Sequence, residues 1–413
     1  MKPPVLARLL IARVPFYYGW IVLGCVCLAG FARQGPAVAV LSIFVAPMTA
    51  EFGWSRTEIS GAVSLGGILA ALVTPAIGPT VDRQGARLVL SLAVLSTGLA
   101  TMALSLVPSL VIFYLLFCFA RMVWAGPYDL ALYSALNSWF VARRMTAASI
   151  ATLAQMSGLV ALPVIAQLAM LNGDWRDGWV AVGATVLAVG FLPVWLLLVR
   201  RPEDIGLAAD RPAGAAVAPE QHFSRAEAMR TRAFWLLALY TVLVFPVQAG
   251  VSLHQAAHLI ERGLAPITAA AAIGVFSAMS AVASLGVGFL PRRWPVRYLL
   301  LTAAALLAGG SLALIWVRSA GDAYLAAGLF GLGIGSAMTL VPVAWADFFG
   351  RQSYGAIRGV ALSLQVLAQA AGPVLSGVLR DRSGDYTHSL LAFTALALAA
   401  AVTALVARQP SAP

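Results

Sequence analysis

Long apolar runs alternate with short polar interruptions along almost the whole chain. Runs long enough to cross a bilayer, ~20 mostly apolar residues, occur twelve times: 16–46, 58–80, 88–107, 109–138, 146–171, 178–199, 233–260, 267–290, 298–317, 323–346, 357–379 and 388–407. Each predicts a membrane helix. Only Arg33, Arg121 and Asp129 place a charge well inside a run. Many runs carry Gly and Pro, which membrane helices tolerate better than soluble ones. The pattern predicts an all-α integral membrane protein with twelve transmembrane helices.

Composition agrees, with 61% hydrophobic and 10% charged residues among 413, against about 25% charged in soluble domains. The net charge of +11 raises the question of nucleic acid, and its distribution answers it. With both termini in the cytoplasm, 19 of the 27 basic residues fall on that side, Arg358 among them, and six fall outside. The surplus is the positive-inside signature of a multi-pass protein of the cytoplasmic membrane, and nucleic acid is not implied. The start, MKPPVLARLLIARVPFYYGW, reads as a lead into span 1 rather than a cleaved signal. Cys25, Cys27 and Cys118 lie inside apolar runs, with no spacing for zinc or disulfides.

Segment 200–232 is the one long polar stretch, and Ser224 with Glu227 predicts a capped short helix leading into span 7. It separates 1–199 from 233–413. The two parts echo each other. Arg144, Gln155 and Gly158 recur 214 residues on as Arg358, Gln369 and Gly372, and Gly173-Asp174-Trp175 recurs as Gly384-Asp385-Tyr386. The turn Gly78-Pro79-Thr80-Val81-Asp82-Arg83-Gln84-Gly85-Ala86-Arg87 has a fainter copy at 288–297. The expected architecture is two pseudo-symmetric six-helix halves joined by a linker.

That turn resembles the signature between spans 2 and 3 of the major facilitator superfamily, G-x-L-a-D-r-x-G-r-k. Gly78, Asp82, Arg83, Gly85 and Arg87 match, while Thr80 and Ala86 depart. The resemblance implies alternating access between two halves around a midplane site, with these five residues at the inner gate. Tyr18-Gly19-Trp20, Glu51-Phe52-Gly53-Trp54-Ser55, Trp139-Phe140, Arg201-Pro202-Glu203-Asp204 and His258-Leu259 further resemble the monocarboxylate and oxalate/formate branch. That likeness implies a small organic anion moved with protons or by exchange. Carboxylate-binding members of the branch carry a basic residue on span 8. Here span 8 has no charge, and span 11 offers Gln365 and Gln369.

A charge at membrane depth costs ~3 kcal/mol on insertion scales and usually faces a cavity or a partner. At ~1.5 Å per residue, Arg33 lies about 22 Å, Asp129 about 15 Å and Arg121 about 27 Å from the cytoplasmic side. They are expected at neighbouring depths, Asp129 partly neutralising both arginines and leaving about one positive charge for an anion. Arginine suits a carboxylate because its planar fork donates two parallel hydrogen bonds. A partly dehydrated Asp129 could carry a coupled proton. The alternative is an ion pair that only locks helices 1 and 4.

Gln155, Gln248, Gln365 and Gln369 are further candidate substrate contacts. His254 and His258, four apart on span 7, are candidates for proton coupling; with no third ligand assured they do not make a metal site. No nucleophile–base pair, phosphate loop or soluble domain of ATPase size accompanies them, so no enzyme activity, cofactor or metal is expected. The reading is a secondary transporter of a small organic anion, with protons as a second partner, expected to act as a monomer in the lipid bilayer. An exporter of amphipathic or weakly charged molecules is the alternative, and a multi-pass receptor or membrane enzyme stands behind both.

Overall fold

A computed structural model describes residues 4–11, 13–171, 173–210, 222–290 and 294–411. Part of the linker (211–221) and the middle of the second signature copy (291–293) lie outside the described residues, as do Lys2 and Arg211. The helices run in order: α1 (Val5–Ile11), α2 (Gly19–Ala32), α3 (Val38–Phe52), α4 (Arg56–Gln84), α5 (Ala86–Ala103), α6 (Leu110–Val123), α7 (Asp129–Trp139), α8 (Arg144–Met170), α9 (Trp175–Thr185), α10 (Leu192–Leu197), α11 (Arg225–Arg230), α12 (Arg232–Glu261), α13 (Pro266–Phe289), α14 (Val296–Ile315), α15 (Ala320–Phe349), α16 (Tyr354–Ser383) and α17 (Thr387–Val406). Among the described residues, 11 helical segments are long and apolar enough to cross a membrane.

The first predicted span is instead broken. Its run from 16 to 46 forms α2 and α3, separated by a turn at Arg33-Gln34-Gly35-Pro36. Pro36 disfavours helical backbone at the residue before it and supplies no N–H of its own. The break leaves Arg33 just past the end of α2, where its N–H still bonds the Ala29 carbonyl. Span 4 is interrupted differently. Between α6 and α7 the turn Trp124–Tyr128 widens to π geometry around Pro127, an irregularity of the kind that often marks functional sites.

Local signals set the helix starts. Reciprocal capping boxes join Ser55 to Glu58, Asp174 to Asp177, Ser224 to Glu227 and Ser319 to Asp322. The third of these starts α11, the short helix expected before span 7, and its hydrogen bonds hold the Glu227 carboxyl below the usual glutamate range. Large apolar side chains such as Leu72, Val111, Val160, Ile267, Leu325 and Val374 point outward. Arg33, Asp129, Gln155, Arg358 and hydroxyls such as those of Thr74, Ser284 and Thr339 are buried, as expected where hydrocarbon is the surrounding solvent.

The chain divides into two compact units, Met1–Glu220 with Arg351–Ser363, and Gln221–Gly350 with Leu364–Pro413. The first turns of α16 therefore belong to the first unit. That unit has an aromatic core in which Phe44 stacks on Trp179 at 3.8 Å and Phe113 packs between Trp54 and Phe117. The Asp210 carboxylate accepts from the N–H groups of Val141, Ala142 (3.0 Å) and Arg143 (2.9 Å), fastening the stretch after α10 beneath α8. In the second unit α13 lies against α15 where Gly331 and Gly335 meet the Phe276 and Ser280 carbonyls, the close backbone approach that small residues permit in membranes.

Candidate functional site

A buried polar cluster occupies the first unit where the two helix interruptions meet. The Trp124 carbonyl, in the π turn, accepts from Arg33 Nε at 3.0 Å. Arg33 Nη1 donates to Gln155 Oε1 at 2.7 Å and lies 2.9 Å from Asp129 Oδ1. Gln155 in turn donates from Nε2 to the Tyr133 hydroxyl at 3.2 Å. Gly30 makes the room, since a Cβ there would come within 2.8 Å of Gln155 Cγ.

The other Asp129 oxygen meets a residue that the sequence pattern counts with the cytoplasmic basic residues, at the start of the run 357–379. Arg358 Nη1 lies 2.7 Å from Asp129 Oδ2, its guanidinium over the Tyr133 ring at 4.9 Å. Arg358 and Asp129 are 3% and 6% exposed, so this ion pair is fully interior. Arg358 sits in the second turn of α16, close after Arg351, and was counted with the basic punctuation. Its echo, Arg144, is buried as well.

Arg121 departs from expectation. It makes no ion pair with Asp129; its guanidinium stacks on the Trp124 ring at 3.8 Å, and Nη1 reaches the Pro36 carbonyl at 3.4 Å. Eight residues of helix separate Arg121 from Asp129 by about 12 Å, and the π turn between them changes their relative facing. Arg33 also lies over Trp124, at 4.7 Å. Trp124 thus contacts two cations, a role with no marker in the linear sequence. The cluster holds three guanidiniums and one carboxylate.

The signature turn anchors the start of α16. Asp82 Oδ1 accepts from the Gly355 N–H and Oδ2 from the Ala356 N–H, both at 2.7 Å. A carboxylate there satisfies orphan donors and complements the positive end of the helix. Gly78 lies so close to the Gly355 carbonyl that a Cβ would collide with it. Gly85 has φ +90° and packs on the Arg200 stem, a conformation and space that favour glycine. Arg87 donates to the Trp195 carbonyl at 2.9 Å and lies over its ring, Arg201 reaches the Asp82 carbonyl at 3.4 Å, and Arg83 is exposed.

The second unit holds the remaining candidates. Gln369 Nε2 donates to Gln248 Oε1 at 3.0 Å, and Gln365, one turn earlier, is half-buried. His254 lies between Tyr386 Oη, 3.2 Å from Nδ1, and the Pro373 carbonyl, 3.3 Å from Nε2. The tautomer protonated on Nε2 satisfies both, with the tyrosine donating. His258 is engaged separately, Nε2 lying 2.8 Å from the Leu314 carbonyl. Among the described residues no three His, Cys, Asp or Glu side chains gather as a metal site.

Residues 22–373 match the family model described as Major Facilitator Superfamily. The chain is 27% identical over 390 residues to mouse (Mus musculus) Monocarboxylate transporter 11, covering 91% of this chain and 84% of that protein. It is 26% identical to the Membrane sensor protein UhpC of Salmonella typhimurium, covering 79% of this chain and 76% of that one. The structure of the human organic anion transporter MFSD10 superposes with a TM-score of 0.74 at 15% identity, over 95% of this chain and 100% of that one. The likeness to that structure concerns the fold, twelve helices of the facilitator type. The chain belongs to the major facilitator superfamily of membrane transporters and is not an enzyme.

Proposed function

We propose that this transporter moves a small organic anion of the monocarboxylate kind across the cytoplasmic membrane, by alternating access and coupled to protons or to a counter-anion. The supporting observation is the buried cluster with three guanidiniums, Arg33, Arg121 and Arg358, against the single carboxylate of Asp129. A surplus of cations in a low-dielectric interior is costly unless an anion joins it. The likeness to a relative named as a monocarboxylate transporter leans the same way.

In this reading residues 1–199 and 233–413 are the two moving halves and 200–232 is their tether. Both termini are cytoplasmic and the carrier works as a monomer. Arg33 and Arg121 receive the substrate, with Gln155, Gln248, Gln365 and Gln369 as polar contacts. Asp129 accepts a proton when substrate draws its arginine partners away, and His254 and His258 serve proton movement at the outer mouth. Gly78, Asp82, Arg83, Gly85 and Arg87 form the inner gate. Export of weakly charged molecules is the second reading, favoured by α13, which carries no charged side chain.

Counterflow in proteoliposomes, run with monocarboxylates, dicarboxylates, aromatic acids and dyes with and without a pH gradient, tests this directly. Arg33→Gln and Arg121→Gln should each abolish carboxylate counterflow while the protein still inserts. Full counterflow in both would remove the anion site from this cluster. Absence of any counterflow, with ligand-dependent signalling instead, would favour a sensor.

A further inference from the structure

We infer that Trp124 is a substrate-binding and specificity-determining residue, its indole N–H acting beside Arg121 Nε as a paired donor for one carboxylate of the substrate. The inference rests on the anion reading above and names the part of the cluster that takes the acid group.

Arg33 and Arg358 are both committed to Asp129, and Arg33 further to Gln155 and the Trp124 carbonyl. Arg121 is not. Its contacts are a 3.4 Å bond to the Pro36 carbonyl and the face of Trp124. Two donors in this neighbourhood, Arg121 Nε and Trp124 Nε1, are shielded from solvent and have no hydrogen-bond partner among the described residues. A buried donor left unmade costs ~1–3 kcal/mol, more when charged, so two adjacent ones call for an acceptor.

Their geometry suits one acceptor. The guanidinium carbon lies 3.8 Å from the indole centroid, which makes the two N–H groups neighbours, and in the proposal one carboxylate bridges them. Indole can only donate and guanidinium can only donate, so the pair accepts a carboxylate and rejects a cation, an ammonium group or a bare hydrocarbon. Neither side chain is sealed away as a whole, because Arg121 and Trp124 are each half-buried. The arginine is also held in place. Gly66 on α4 packs on its stem, a Cβ there meeting Arg121 Cβ at 2.6 Å, and Trp124 is fixed through its carbonyl by Arg33. A preformed donor pair loses little freedom on binding.

The test uses the purified full chain at one neutral pH, with lactate, oxalate, succinate and benzoate as probes and benzamide as the uncharged match to benzoate. Ligand-induced thermal shift gives apparent Kd, and counterflow of the best probe gives KM. Trp124→Phe keeps the ring for stacking and removes the N–H; Trp124→His restores an N–H on a smaller ring. The expected result is stabilisation by at least one acid but not by benzamide. Kd and KM should rise about ten-fold or more in Trp124→Phe, with recovery to within about three-fold in Trp124→His.

Equal affinity in wild type and Trp124→Phe, with binding still lost in Arg121→Gln, overturns the role of Trp124 and leaves the anion reading standing. No stabilisation of the wild type by any acid overturns both. Should Trp124→Phe fold poorly, Trp124→Leu, which also removes the N–H, takes its place, and wild-type affinity there overturns the donor pair.

Discussion

At the residue scale the cluster turns on Asp129, which is shared by Arg33 at 2.9 Å and Arg358 at 2.7 Å. Removing one partner of a buried pair exposes the other to an uncompensated environment, typically costing ~3–5 kcal/mol, whereas removing both is far milder. Arg358→Gln should therefore lower the melting temperature clearly. Asp129→Asn should lower it at least as much, because two cations then lose their partner. The double variant should recover much of the loss. A double-mutant cycle on thermal unfolding in detergent checks this, and strict additivity would remove the coupling. Arg33, Arg121 and Asp129 were legible in the sequence because a charge inside an apolar run stands out. Arg358 was not, because helix α16 begins only four residues before it and the loop-to-helix boundary hides its depth. Trp124 was invisible for another reason: a tryptophan in an apolar run has no signature until its neighbours are known.

At the scale of elements, two irregularities bring the cluster together. The break between α2 and α3 ends a helix at Arg33, and the π turn Trp124–Tyr128 offers that arginine a carbonyl. Gly35-Pro36 and Pro127 announce where the backbone departs from regularity, but not which side chains meet there. The contact between α4 and α16 depends on Gly78 in the same way. Gly78→Ala places a methyl against the Gly355 carbonyl, and backbone cannot step aside as a flexible side chain can. Counterflow should fall by about ten-fold or more, an expectation scaled to ~1–3 kcal/mol of overpacking.

At the scale of the whole molecule, membership in a family of alternating-access transporters makes the Asp82 anchor a candidate for control of rate. Its carboxylate accepts two backbone N–H groups at the start of α16. Asp82→Asn keeps the shape, removes the charge, and can accept through one oxygen only. The expected outcome is slower turnover with little change in KM, read from counterflow against substrate concentration. A large rise in KM at normal turnover would move Asp82 from the gate to the binding site. The turn at Gly78–Arg87 identified the family, while its fainter copy at 288–297 carries Arg292 in place of the acid.

The sequence by itself determined the solvent, most of the membrane helices and the family. These follow from properties that accumulate along the chain: apolar length set by bilayer thickness, capping residues at helix starts, and a ten-residue signature. Tertiary structure decided the partners. Which arginine Asp129 holds, that Arg121 faces an indole instead, and that Arg358 lies deep depend on the facing of helices far apart in sequence. Side-chain reach is a few ångströms, and a single π turn or proline break changes what lies within it.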